Sequence, residues 1–184
     1  VSFKTAVKIA KETFAYTNHT ILAEALEKWD IKLIKKISPR IFNIIELINN
    51  NFVKELVQRG YGRKAIEEFS IIGNGQVRMA NLAIEVGHAV NGVAQLHTDI
   101  LKDTELHNWY ELYPEKFQNK TNGITPRRWL RLCNKELSAL ITELLGNENW
   151  VTDLSELKKL EAYVNDEKVL KRLLEIKHIK KEQL

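Results

Sequence analysis

The sequence predicts a mainly α fold with two or three short strands. Three observations carry this. Apolar residues recur at helical spacing through most of the chain. Two helix starts are written as a hydroxyl residue followed by proline, at Ser38-Pro39 and Thr125-Pro126. No complete βαβ repeat and no GxGxxG turn can be traced.

Phe3 to Thr13 reads as a helix, with Phe3, Ala6, Val7 and Ala10 on one face. Phe14 to Thr17 is β-prone and predicts a short strand. Ile21 to Trp29 reads as a second helical stretch, with Thr20 as its N-cap and Glu24 and Glu27 on one face. Ser38 supplies a capping hydroxyl, and Pro39 takes the first helical position, where no N–H is needed. Ile41, Ile44, Ile45, Ile48, Phe52, Val53 and Leu56 follow at helical spacing, and Gly60 closes the element. That helix is about 20 residues and roughly 30 Å long, so its apolar face needs a partner surface of similar length.

Gly73-Asn74-Gly75 is a plain turn, and Gln76 to Met79 predicts a short strand. Leu82 to Val86 is helical and broken at Gly87. His88 to Ala94 mixes small residues with two polar ones, and a helix then runs from Leu96 to about Lys102. Trp109, Tyr110, Leu112, Tyr113 and Phe117 read as an aromatic-rich loop around Pro114. Pro126 opens another helix. Asn134 caps the next, whose core face is Leu137, Leu140, Ile141, Leu144 and Leu145, with Gly146 past its end. Asp153, and either Asn165 or Asp166, cap two final helices.

With 184 residues and 44% apolar content, the chain can bury a sizeable core. Its net charge is only +4, with Lys and Arg mixed among Asp and Glu, so nucleic-acid binding, which usually wants a clustered stripe, is weakly supported. The single cysteine, Cys133, excludes an internal disulfide and a cysteine-based zinc site. No histidine-carboxylate set has metal-ligand spacing, and no G-x-S-x-G elbow exists. With no secretory leader and no apolar run long enough for a bilayer, no membrane association and a cytoplasmic setting are expected. The chain opens at Val1 within a helical pattern and closes on the charged helix LKRLLEIKHIKKEQL, which predicts a piece of a longer protein.

Three segments carry polar groups in unusual company. Tyr16-Thr17-Asn18-His19-Thr20 lies at a strand-to-helix switch, where His19 can offer a hydrogen bond to a hydroxyl. The plainer reading makes Asn18 an Asx turn and His19 a surface residue. Gly87-His88-Ala89-Val90-Asn91-Gly92-Val93 lets backbone approach something closely, whether a ligand or a neighbouring helix. In KTNGITPRRWLRLCN, Asn122-Gly123 exposes an amide, and Pro126 with Arg127 and Arg128 makes an electropositive helix start suited to an anion. Trp129 adds a flat ring for a planar cofactor or a sugar. A capped helix with a buried tryptophan and two solvated arginines explains the same residues. Glu24 and Glu27 can accept hydrogen bonds from sugar hydroxyls, or form a solvated stripe.

Taken together, FAYTNHT followed by EALEKW, then GHAVNGVAQLHTDILK, then YELYPEKFQNKTNGITPRRWL closely resemble the glycogen (α-glucan) phosphorylases. The likeness runs through nearly the whole chain, weakest between Asn49 and Asn74 and in the last helices. It implies a central fragment of a two-Rossmann-domain (GT-B) α/β glycosyltransferase. Residues 1–118 would be the C-terminal part of the N-terminal Rossmann-like domain. Residues 119–184 would be the domain crossing and the first helices of the C-terminal domain. The implied cofactor is pyridoxal 5′-phosphate, whose phosphate is the proton-transfer partner of the substrate phosphate. The implied substrates are α-1,4-glucan and inorganic phosphate, and the products are glucose 1-phosphate and a shortened glucan.

The resemblance further implies that His19 and Asn122 bind the glucosyl unit near its 6-hydroxyl, that Val93 lies against the sugar, and that Glu24 and Glu27 border the pocket. It places Trp129 against the pyridoxal phosphate and gives Arg127 and Arg128 no role. No catalytic residue of the family falls within these residues, because its pyridoxal-bearing lysine, its substrate-phosphate residues and its glycine-rich loop belong to motifs this chain lacks. The chain departs from the pattern at Ala23, where proline is common, and at Val86-Gly87, which replaces a Gly-Ser pair. A fragment of this kind is expected to be inactive and, with helix faces parted from their sheets, to self-associate as a homo-oligomer or rearrange. The competing readings are an independent helical binding module for a protein or nucleic acid, using the basic stretch Val169 to Lys181, and a remnant that holds glucan without reaction.

Overall fold

A computed structural model describes residues 1–184, which fold as two units, Val1–Asn122 and Gly123–Leu184. In the first unit the elements are α1 (Phe3–Thr13), β1 (Ala15–Thr17), a 3₁₀ turn (Ala23–Ala25), β2 (Lys28–Asp30), α2 (Ile31–Ile37), α3 (Pro39–Gln58), α4 (Arg63–Phe69), β3 (Ile72–Gly73), β4 (Gln76–Arg78), α5 (Met79–Val86), β5 (Ala89–Gly92) and α6 (Gln95–Ile100). A π-helical turn (Leu101–Glu105), α7 (His107–Leu112), a 3₁₀ turn (Pro114–Lys116) and β6 (Phe117–Asn119) complete it.

α3 is the organising helix; Ile45, Phe52 and Leu56 are buried as its periodicity predicts, but Ile41 and Ile44 are exposed and Phe42 is buried in their place. Phe42 and Ile45 enter one apolar cluster with Ile71 and Val77. Phe52 and Leu56, two and three turns further on, enter another with Phe69, Ile84, Val90, Trp109 and Phe117. Each fully buried side chain of this size contributes about 1.5–3 kcal/mol. Trp109 is the hub: Phe52 stacks on it at 5.7 Å and Phe69 meets it edge-on at 5.0 Å. Between the clusters, Asn49 Oδ1 accepts the Ile72 N–H at 3.1 Å and ties α3 to β3.

The six strands make two three-stranded sheets, more strand than the sequence predicts. One is antiparallel, in order β2-β4-β3, with its tight turn at Asn74 and Gly75, both at positive φ (52° and 74°) as a type I′ hairpin requires. The other is parallel, in order β1-β5-β6, with Ala15 opposite Ala89 and Val90 opposite Phe117. β5 and β6 are joined through α6 and α7, so the chain does contain a strand–helix–strand crossover. The crossover escapes sequence reading because β5 is Ala-Val-Asn-Gly, with no apolar run.

Three further expectations are corrected. Residues 21–29 form no helix: they make the 3₁₀ turn and then β2, which β4 captures by pairing Lys28 with Arg78 and Asp30 with Gln76. Thr20 accepts from the Leu22 N–H in a local turn, with no helix to cap. The aromatic segment around Pro114 is no loop. It is α7, a 3₁₀ turn and β6, and Trp109, Leu112, Tyr113 and Phe117 are core. Ser38 starts α3 through its carbonyl, which accepts from the Phe42 N–H at 3.1 Å, while its hydroxyl makes no capping bond.

A buried polar network lies beneath α5. The carboxylate of Glu85, 4% exposed, takes the Lys11 ammonium at 2.6 Å and the Tyr113 hydroxyl at 2.9 Å. Lys116 Nζ donates to the Ile84 carbonyl at 2.7 Å and stands 4.1 Å over the Tyr113 ring. Burial, then the Glu85 charge, push the Tyr113 phenol well above its ordinary value of 10.0. Burial lowers the Lys116 ammonium. The folded state therefore keeps a tyrosine proton that the unfolded chain releases above about pH 10, so this stabilisation is whole below that pH and is lost as pH rises. Lys116 acts in the opposite sense below its ordinary 10.5. Comparing thermal melts of the protein and Tyr113→Phe from pH 9 to 11 isolates the phenol, with both pH limits set about one unit either side of its ordinary value. The variant is expected to lose the part of the alkaline decline that tyrosine causes. Parallel curves would refute the assignment.

In the second unit, a π-helical turn (Arg127–Leu132) leads to α8 (Lys135–Leu145), 3₁₀ segments (Asn149–Val151 and Leu154–Tyr163) and α9 (Glu167–Glu182). Asn134 caps α8 by accepting from the Leu137 N–H, and Gly146, at φ 72°, ends it. Trp150 is fully buried and donates to Thr142 Oγ1 at 3.1 Å. Asp166, not Asn165, caps α9 through the N–H groups of Lys168 and Val169. Arg172 clamps Glu143 with two bonds of 2.7 Å, fastening α9 to α8. Asp153 also caps, by accepting from the Ser155 N–H, but the segment it opens is 3₁₀. No helix of the protein is long and apolar enough to cross a membrane.

Candidate functional site

The three parallel strands β1, β5 and β6 present their carboxyl ends along one sheet edge, where ligands of open α/β sheets gather. Pairing runs on past each strand end. The Asn18 N–H donates to the Asn91 carbonyl at 2.9 Å, Lys120 N–H to Gly92 at 3.1 Å, and Asn122 N–H to Val93 at 2.9 Å. His19, Val93 and Asn122, distant along the chain, therefore leave adjacent strands on the same edge.

Each is held by its neighbours. Asn18 is 1% exposed; its Oδ1 accepts from the Thr20 N–H at 2.8 Å and its Nδ2 donates to the Tyr16 hydroxyl at 3.1 Å. That Asx turn fixes the loop and leaves the His19 imidazole at the surface. Burial raises the Tyr16 phenol, the Asn18 bond opposes the rise, and the Glu27 charge adds to it. Thr17 donates to Asn91 Oδ1 at 2.8 Å. Behind β5, a Cβ on Gly92 would lie 2.4 Å from Thr98 Oγ1 and 2.9 Å from the Thr98 backbone nitrogen. The Thr98 hydroxyl lies 3.0 Å from Asn119 Oδ1 and so links α6 to the end of β6. Glycine at 92 is thus a condition of the β5–α6 approach that forms the site's floor.

Glu24 and Glu27 are exposed but share no helix face: Glu24 lies in the 3₁₀ turn and Glu27 precedes β2. Glu27 accepts from the indole N–H of Trp29 at 3.3 Å. Trp129 belongs to the second unit and is 65% exposed, so the buried-tryptophan reading of that segment does not hold. Arg127 and Arg128 are exposed on the same turn. Sequence reasoning missed Asn18 as a buried anchor, and missed Asn91, His97 and Thr98. The available signal was a histidine four residues after Val93, while the close backbone approach expected of Gly87 to Val93 does occur at Gly92, with helix α6 as the neighbour.

An exposed imidazole, an exposed carboxamide and an aliphatic side chain on one rigid edge can hydrogen-bond hydroxyls and pack against a ring. The edge contains no nucleophile paired with a base.

The carbohydrate phosphorylase profile matches residues 1–184. The chain is 45% identical over 185 residues to a glycogen phosphorylase of Bacillus subtilis (strain 168), covering 100% of this chain and 23% of that protein. It is 45% identical over 181 residues to the brain-form glycogen phosphorylase of Rattus norvegicus, covering 96% and 22%. It is 45% identical over 166 residues to the α-glucan phosphorylase H isozyme of Triticum aestivum, covering 88% and 20%. The chain thus spans under a quarter of the length of these relatives. A sugar-suited edge on a parallel sheet, a profile match from the first residue to the last, and this level of identity lead to one conclusion: the chain belongs to the carbohydrate phosphorylase family.

Proposed function

We propose that the chain is a central stretch of a glycogen or α-glucan phosphorylase of GT-B architecture and forms one wall of its glucosyl site. The parent enzyme cleaves terminal α-1,4-glucosidic bonds with inorganic phosphate, giving glucose 1-phosphate. The observation that supports this best is the placement of His19, Val93 and Asn122 on adjacent strand ends of one parallel sheet. On this reading His19 and Asn122 hydrogen-bond the 6-hydroxyl, Val93 packs on the sugar face, and Glu24 and Glu27 border the pocket. Residues 1–118 finish the N-terminal domain, and residues 119–184 carry the crossing and begin the C-terminal one. The setting is cytoplasmic, and the isolated chain, with helix faces parted from their sheets, self-associates.

The exposed ring of Trp129 suits a planar partner, and on this reading it packs against pyridoxal 5′-phosphate. When bound, that cofactor supplies a phosphate group able to exchange a proton with the substrate phosphate. The residues of this chain bind and orient sugar and cofactor, and the chain alone is catalytically silent, because one wall cannot preorganise a two-sided pocket.

The test is phosphorolysis of maltoheptaose by the full-length enzyme, by its His19→Ala and Asn122→Ala variants, and by residues 1–184 alone. Each variant is expected to lose about 10–100-fold in kcat/KM, as loss of a hydrogen bond or two to substrate would give. Wild-type kcat/KM in both variants would overturn the site. Glucose 1-phosphate from the 184-residue chain would overturn the silence.

A further inference from the structure

We propose that His97 is a positioning residue that couples the two sugar-facing loops through one fixed tautomer, a role that rests on the glucosyl site described above. The imidazole is partly buried at the start of α6, between the loop after β5 and the loop after β1. Its Nδ1 stands 3.1 Å from the backbone nitrogen of Val93. Its Nε2 stands 3.4 Å from the carbonyl oxygen of Thr20, the residue after His19.

A backbone N–H can only donate, so Nδ1 must be the acceptor and the neutral ring carries its proton on Nε2. That proton faces the Thr20 carbonyl, which can only accept. The two contacts therefore select the same tautomer. One side chain ties the loop bearing Val93 to the loop bearing His19, 74 residues earlier as the difference between 93 and 19. Asn122 joins the same unit because its N–H donates to the Val93 carbonyl. Without the imidazole, the Val93 N–H loses its partner and the Thr20 end of the His19 loop loses its tie to α6. The Asn18–Asn91 bond would still hold the start of that loop to β5, but the end beyond His19 would be free to move relative to Val93. His97 itself touches no substrate on this account and acts through its neighbours.

The two bonds can be separated. His97→Asn places an acceptor near Nδ1 and nothing near Nε2. His97→Gln reaches the Nε2 position and leaves Nδ1 vacant. His97→Leu removes both. In the full-length enzyme three quantities are measured: residue-resolved hydrogen exchange of the Val93 amide, KM and kcat for glucose 1-phosphate in glucan synthesis, and Tm. His97→Asn is expected to keep Val93 protected but, with the Thr20 tie cut, to raise KM about tenfold. His97→Gln and His97→Leu are expected to speed Val93 exchange and to raise KM about tenfold, with a smaller change in kcat. Unchanged Val93 exchange in His97→Gln, wild-type kcat/KM in His97→Asn, or kinetic losses that only follow Tm, would overturn the proposal. The Asn and Gln pair decides it even where the Leu variant does not fold. An inactive wild-type enzyme would sink the phosphorylase reading instead, while the exchange data would still report whether His97 holds Val93.

Discussion

Gly92→Ala is expected to cut kcat/KM of the full-length enzyme by about 100-fold and to destabilise its site region by about 1–3 kcal/mol. The added Cβ would meet Thr98 Oγ1 at 2.4 Å and the Thr98 Cα and backbone nitrogen at 2.9 Å each. A hydroxyl can rotate away, but helix backbone cannot, so β5 and α6 must part. That parting displaces the Gly92 carbonyl, which accepts from Lys120, and the Val93 carbonyl, which accepts from Asn122. It also pulls Thr98 from Asn119. The damage is therefore concentrated on the edge that places Val93 and Asn122, and an error of about 1 Å there costs on the order of 100-fold. Gly62→Ala is the control, since a Cβ there meets nothing within 4 Å. Steady-state kinetics and a crystal structure of the variant check the idea. A Gly92→Ala enzyme with normal kcat/KM would remove the close approach from the account of the site.

Glu85→Leu is expected to destabilise the first unit by about 3–5 kcal/mol, the largest stability effect foreseen for a single side chain here. The substitution leaves the Tyr113 hydroxyl without an acceptor and the buried Lys116 ammonium without the carboxylate that most favours its charge. Orphaning a buried group costs more than the net worth of the bond it made. Lys11 is 38% exposed by its side chain and can turn to water, so its share is small. Glu85→Gln keeps an oxygen for Tyr113 and is expected to fall between. Adding Lys116→Met to Glu85→Leu is expected to restore part of the loss, because removing both charges is cheaper than removing one. Native-state hydrogen exchange in β5 and β6 reports the local opening free energy in a protein too large for a two-state melt. A loss under about 1 kcal/mol in Glu85→Leu would mean that the network is solvated and dispensable.

Much of the helical frame was legible in the chain. The length of α3, its start at Pro39 and its inward Ile45, Phe52 and Leu56 follow from period and punctuation, whereas Phe42, not Ile41 or Ile44, turned out to face inward near its start. So do the cap Asn134 and the stop at Gly146, while the last cap was narrowed only to Asn165 or Asp166. These features are local: a cap is satisfied within three residues and a helical face repeats every turn. The strands were less legible because each is two to four residues long, too short for alternation to register. β2 was misread as the tail of a helix because its partner, β4, lies about 50 residues away as the span from Lys28 to Arg78. The aromatic cluster was misread as loop because Pro114 masks the end of one element and the start of the next.

The same division holds at the site. By itself, the amino-acid order determined the long helix α3, the helix α8 with its Asn134 cap and Gly146 stop, the two helix starts at proline, and three polar segments whose joint wording identifies the family. Only the tertiary structure decided that His19, Val93 and Asn122 share one edge, that Gly92 is forced by Thr98, and that His97 bridges two loops. The physical reason is that caps and periodicity are settled among near neighbours. Parallel pairing and close packing are settled by residues that meet only once the intervening crossovers have folded back onto the sheet.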